Sequence, residues 1–176
     1  MGRMTNFTKE YLFYKAMLFA EEKGVQNITA RGLARYCECS TYPIYAHFDS
    51  MTNLKERIKL EVSQSFEQYI KRQQVNELEE LIHLVYQFFL INGQFYRLIQ
   101  RSHLDISELM KASFVDYAQN ELKIKEQYLI ELLWLTSVGC CHSEGVHKDY
   151  MRAITLLWDR LSELDKELPC LLNTKH

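Results

Sequence analysis

The chain has 176 residues, 47% of them hydrophobic and 12% aromatic, with only two prolines and six glycines. That profile excludes disorder over most of the length and leaves too few turn residues for a β-sandwich or barrel, so an all-α fold is expected. A net charge of −2 excludes a global basic field, but residues 1–59 carry 9 basic and 6 acidic side chains and the remainder is acidic, as in a polyanion-binding head on an acidic body. A first helix is expected from Thr8, whose hydroxyl can cap the free N–H groups of the first turn, with Phe7 and Leu12 as a hydrophobic staple. Leu12, Ala16, Phe19 and Ala20 recur at helical spacing, and Gly24 sits where a C-cap is wanted. The same grammar repeats at Thr29, with Ile28 and Leu33 as the staple pair, and again at Ser40, with Cys39 and Ile44. Only Cys37-Glu38-Cys39 separates these two short predicted helices, which makes a helix-turn-helix. In the third helix Ile44 and Phe48 take the inward face. Thr41, Tyr42, Tyr45 and His47 are left for the outside, where a merely solvated helix would carry Glu and Lys.

The body follows. Ser50 to Lys71 is predicted as a long helix on Leu54, Ile58, Val62 and Phe66, capped by Asp49 or Ser50. Glu77 to Asn92 carries the stripe Leu78, Leu81, Ile82, Val85, Phe88 and Phe89; Gly93 breaks it, and Phe95 to Arg101 is a short helical piece. Ile106 to about Lys125 reads as a helix with an imperfect stripe. Glu126 to Cys141 is apolar almost all round, which demands burial on two sides. Asp149 to Glu167 closes the chain with Ile154, Leu157, Trp158 and Leu161, and Pro169 stops it, for about nine helices in all. The apolar run from Tyr128 to Cys141 is too short for a bilayer and contains Glu131. The first residues enter a charged segment with no apolar leader, so Cys37, Cys39, Cys140, Cys141 and Cys170 are expected as reduced thiols of a cytoplasmic protein without a membrane partner.

The first sixty residues resemble the DNA-binding domain of the tetracycline-repressor (TetR) family of regulators. The matching text runs from Ala16-Met17-Leu18-Phe19-Ala20-Glu21-Glu22-Lys23-Gly24 through Ile28-Thr29-Ala30-Arg31-Gly32-Leu33-Ala34. It continues over Cys39-Ser40-Thr41-Tyr42-Pro43-Ile44-Tyr45-Ala46-His47-Phe48 and ends at Leu54. The resemblance implies a helix-turn-helix domain over 1–50 and an effector-binding and dimerisation domain over 51–176. It further implies a ligand-released repressor that binds a palindromic double-stranded DNA operator as a homodimer. Arg31 would reach a phosphate, with Thr29 as cap and phosphate donor. Thr41 and Tyr42 would face base edges in the major groove, Tyr45 and His47 would bond backbone oxygens, and Ser40 would belong to the same DNA-binding set. Tyr45 fits a core aromatic equally well; Phe48 is read as core.

The sequence also departs from that pattern. Glu38 stands where the family often has glycine, Gly32 weakens its helix, and Pro43 falls in the first turn of the recognition helix. Met51 occupies a site that often carries a phosphate-binding lysine, for which Lys55 can substitute. In the body, Phe88, Phe89, Tyr96, Phe114, Tyr117 and Trp134 either line a pocket for a small, largely apolar effector or form the core. Trp134, Ile154, Leu157, Trp158 and Leu161 are candidates for the dimer seam. A helical protein-interaction or sensor domain that has lost DNA binding is the alternative.

No enzyme is expected. The Glu80–His83 and Glu144–His147 pairs have the Glu-x-x-His spacing of di-iron bundles, but Glu80 and His83 lie opposite the apolar stripe, and Gly145 interrupts the second pair. Cys140, Cys141 and His142 lack zinc spacing and read as small buried side chains. No cofactor or metal is expected.

Overall fold

Three hydroxyls set three helix starts. The computed structural model describes residues 7–102 and 105–140, together with the isolated helical positions 152, 156 and 160. In α1 (Lys9–Lys23) the Thr8 Oγ1 accepts from the Tyr11 N–H at 3.2 Å. In α2 (Ala30–Tyr36) Thr29 accepts from Gly32 at 3.0 Å, and in α4 (Met51–Gln73) Ser50 accepts from Asn53 at 3.0 Å. Each bond satisfies one donor that the first turn cannot satisfy within the helix. Gly24 ends α1 at φ 87 and ψ 145, a backbone open to glycine almost alone, and a 3₁₀ turn over Val25–Asn27 leads into α2.

The expected cap at Ser40 is not used. The third helix, α3 (Tyr42–His47), has Thr41 as its N-cap, with no side-chain cap bond. The reason is Pro43: a cap hydroxyl bonds the second or third N–H of the helix, and proline removes one of these donors. The connection between α2 and α3 is therefore Cys37 to Thr41, longer than the spacing suggested.

Four further helices complete the described body: α5 (Leu78–Ile91), α6 (Gly93–Arg101), α7 (Asp105–Asn120) and α8 (Gln127–Cys140). Eight α-helices and no strand occur among the described residues, in agreement with the all-α expectation. The predicted last helix, with Ile154, Leu157, Trp158 and Leu161, lies outside the described residues apart from the helical positions 152, 156 and 160. α7 stops at Asn120, short of the expected Lys125, in a turn where Leu122 donates to the Tyr117 carbonyl and Lys123 turns left-handed at φ 59.

α4 packs along α7, α5 along α8, and α6 crosses to α1. One continuous apolar core runs from Leu12, Leu33 and Ile44 in the head through Leu54, Ile58 and Phe66 to Phe88, Phe114 and Trp134 in the body. Its centre is an aromatic cluster: Phe66 lies 5.2 Å from Phe88 and 5.7 Å from Trp134, which lies 5.5 Å from Phe114, ring centre to ring centre. These tilted and edge-on contacts are the arrangement that ring quadrupoles favour. No helix among the described residues is long and apolar enough to cross a membrane.

Candidate nucleic-acid interface

The third helix, α3, is held from beneath and bare on top. Ile44 and Phe48 are buried at 0% and 5% exposure, whereas Tyr42 is 79% exposed and Tyr45 60%. Tyr42, Tyr45 and Ala46 share one outward face at i, i+3 and i+4, which removes the core reading of Tyr45. Ser40 is exposed ahead of the helix, and Thr41 and His47 are half-buried at its two ends.

The turn that aims α3 is a Schellman motif. The Cys39 N–H donates to the Ala34 carbonyl at 2.9 Å and the Glu38 N–H to Arg35 at 3.2 Å, with Glu38 in the left-handed region at φ 55. Glycine is the usual residue at such a position, so Glu38 carries backbone strain in the segment that orients the tyrosines. Cys37 is buried and its thiol is pushed up to about 11, by burial first and by Cys39 beside it second. Such a thiol stays protonated at neutral pH and acts as a small apolar side chain.

On α2, Arg31 is exposed in the first turn. A cation there opposes the helix dipole, so α2 gains no stability from its charge. Thr29 Oγ1 accepts from Gly32, which leaves its own O–H free to donate outward. Gly32 is needed for this cap, because a Cβ there would sit 2.9 Å from Thr29 Oγ1 and 3.5 Å from the Phe19 ring. Lys55 is placed differently from the expectation: its ammonium donates to the Gln26 carbonyl at 2.8 Å, tying α4 to the 3₁₀ turn. Met51 is half-buried against the core.

The head is bonded to the body through α6, a contact that sequence reasoning missed. Arg97 Nε and Nη2 reach Glu21 Oε1 at 2.7 and 2.5 Å, Arg101 donates to the Glu22 carbonyl, and Gln26 Nε2 donates to the Arg101 carbonyl at 2.8 Å. Gly24 lies so near that an added Cβ would be 2.7 Å from the Arg101 oxygen. The short helix that carries Arg97 and Arg101 was expected; the bonds of these side chains to Glu21 and to the Glu22 carbonyl were not, since local pattern carries no information across 76 or 79 residues of chain.

The body aromatics resolve toward packing. Phe88, Phe114 and Trp134 interlock in the core, Phe89 is buried beside Tyr96 at 5.5 Å, and the Tyr117 hydroxyl donates to the Val75 carbonyl at 3.3 Å. Trp134 is enclosed within its own chain and is not available as a dimer seam. The exposed apolar positions of α8 are instead Tyr128, Leu132 and Leu135. Glu80 accepts from the Asn76 N–H at 3.0 Å, and His83 Nε2 lies 2.8 Å from Gln87 Nε2; Glu144 and His147, like Cys141 and His142, lie outside the described residues. No family model matches the chain, and a search of curated proteins finds no match either.

Proposed function

We propose that the chain is a DNA-binding transcriptional regulator, a repressor that holds a palindromic operator as a homodimer and is released by a small, largely apolar molecule. The observation that carries this reading is the outward face of α3, where Tyr42 and Tyr45 are exposed above the buried anchors Ile44 and Phe48. A helix that needed only solubility would carry charged residues there, because exposed rings forfeit burial. The major groove admits an α-helix, and Thr41 and Tyr42 at the N-terminal end of α3 are positioned for base edges. Arg31 on α2 supplies the phosphate contact, and Tyr45 and His47 supply hydrogen bonds to the DNA backbone.

Dimerisation through α8 fits the same reading. Tyr128, Leu132 and Leu135 form an i, i+4, i+7 stripe, with Tyr128 and Leu135 each 61% exposed. Two copies joined there and through the last predicted helix give a four-helix interface whose two-fold axis matches a palindrome. The bonds of Arg97 and Arg101 to the end of α1 would carry a shift of α6 into the head. Selection from a random-core duplex library with the full chain should enrich a palindrome with half-site centres about one helical turn apart. Recovery of no sequence above input would sink the reading. The alternative, a helical sensor or interaction domain without DNA binding, is favoured by the engagement of Lys55 with Gln26 and by the half-buried Met51, which deprive the start of α4 of a phosphate-binding cation. In that case dimerisation persists while the selection yields nothing.

A further inference from the structure

A groove of about 540 Å³ runs between α1, α4 and α6, away from the outward face of α3 and touching the aromatic cluster only through Phe95, which stacks on Phe88 at 5.8 Å. Sites for small molecules commonly measure about 300–1,000 Å³. Its apolar lining comes from Phe13, Met17 and Leu18 of α1 and from Phe95 and Leu98 of α6. Phe13, Met17 and Phe95 pack on the core and Leu98 belongs to it, so this lining is fixed by the fold. The charged groups at its mouth, Lys9, Glu10, Glu21, Arg57 and Glu61, are not equivalent. Lys9, at the start of α1, is a second cation but has no ring behind it among the described residues to orient it. Glu21 is held by Arg97. Glu10 lies in the first turn of α1, where a backbone hydrogen bond and the Thr8 hydroxyl keep its carboxyl below the ordinary value. Arg57 is placed differently: its guanidinium lies 4.7 Å from the centre of the Phe13 ring and makes no ion pair among the described residues. A guanidinium backed by a ring is oriented in advance and keeps its N–H fork for a carboxylate or sulfonate. Glu61, one turn along α4 from Arg57, adds an opposing charge at the same mouth.

We infer that this groove binds a monoanionic amphiphile, an organic carboxylate or sulfonate whose head group sits on Arg57 and whose apolar body lies along Phe13, Met17 and Leu98. The inference does not rest on DNA binding, and its test contains no DNA. The full chain is titrated with 1-anilinonaphthalene-8-sulfonate by fluorescence and with dodecanoate by calorimetry, with dodecyltrimethylammonium as the cationic match. One saturable site is expected for each anion. Arg57→Gln should weaken it about tenfold and Glu61→Gln should tighten it, because the two charges act on the head group with opposite signs. Leu18→Glu should abolish it by placing a charge in the apolar lining, with circular dichroism reporting the fold. If Leu18→Glu unfolds, the exposed Arg57→Gln and Glu61→Gln variants decide alone. Equal binding of the cation, opposite or absent responses to those two variants, or unsaturable binding that survives in both would overturn the assignment.

Discussion

Glu38 is the residue whose backbone most directly sets the direction of α3. It holds φ 55 in the turn between α2 and α3, where a Cβ meets the following carbonyl oxygen and costs about 1–2 kcal/mol. Glu38→Gly should therefore raise stability by about 1 kcal/mol once the added freedom of the unfolded chain is subtracted. The denaturant midpoint measures this, and an unchanged or lower midpoint would contradict the strain. Tyr36 gives a second local test. Its hydroxyl donates to Glu22 at 2.7 Å, and this bond, with burial and the glutamate charge, pushes its pKa from 10.0 up to about 12. The fold favours the neutral phenol, so the associated stability is complete below pH 10 and lost as pH rises through about 12. Cys37, raised from 9.0 to about 11, adds a decline of the same sign that begins lower. Cys39, Tyr69, Lys71 and Lys111 are raised as well and act in the same direction, so the slope does not vanish in Tyr36→Phe. With the tyrosine component removed, stability should fall less steeply between pH 10 and 12 than that of the unaltered chain. Identical slopes in urea titrations across that range would refute the assignment.

Element by element, what was legible was what is decided within one turn of chain. Thr8 and Thr29 cap the helices they were expected to cap, and Ser50 is the one of the two candidates, Asp49 and Ser50, that caps α4, because a hydroxyl and an N–H three residues later meet without help from elsewhere. The same logic failed at Ser40, where Pro43 withdraws a donor, and at the end of α7, where Lys123 turns left-handed. Neither Tyr45 nor Trp134 could be placed from spacing. Spacing leaves Tyr45 open between core and surface, and it is exposed; it leaves Trp134 open between pocket, core and dimer seam, and it is enclosed by Phe66 and Phe114. In both cases the answer depends on helices distant in sequence. For α8, apolar almost all round, the sequence did indicate two faces in need of cover, and the structure separates them: Leu129, Ile130, Leu133 and Trp134 face inward, Tyr128, Leu132 and Leu135 outward. The double variant Leu132→Glu, Leu135→Glu should keep its helix content and be monomeric in sedimentation equilibrium at micromolar concentration, where the unaltered chain is expected to be a dimer. A dimeric double variant, or a monomeric unaltered chain, would exclude α8 as the seam.

At the scale of the whole molecule the charge is divided rather than absent: +3 over residues 1–59 and −5 over the remainder. An acidic body repels DNA, so attraction must come from a few cations of the head, and non-specific affinity is expected to be modest. That makes each phosphate contact visible in the salt dependence. It also separates the two kinds of contact proposed here, since a phosphate contact carries no sequence information and a base contact does. The most direct measurement is the affinity of the unaltered chain, Arg31→Ala and Tyr42→Ala for the selected duplex and for point-substituted duplexes, titrated across salt. The account predicts that Arg31→Ala weakens binding to every duplex and lowers the slope of log affinity against log salt by about one. It predicts that Tyr42→Ala keeps the slope and loses the preference among substituted duplexes. Unchanged affinity, slope and preference in both variants would contradict it.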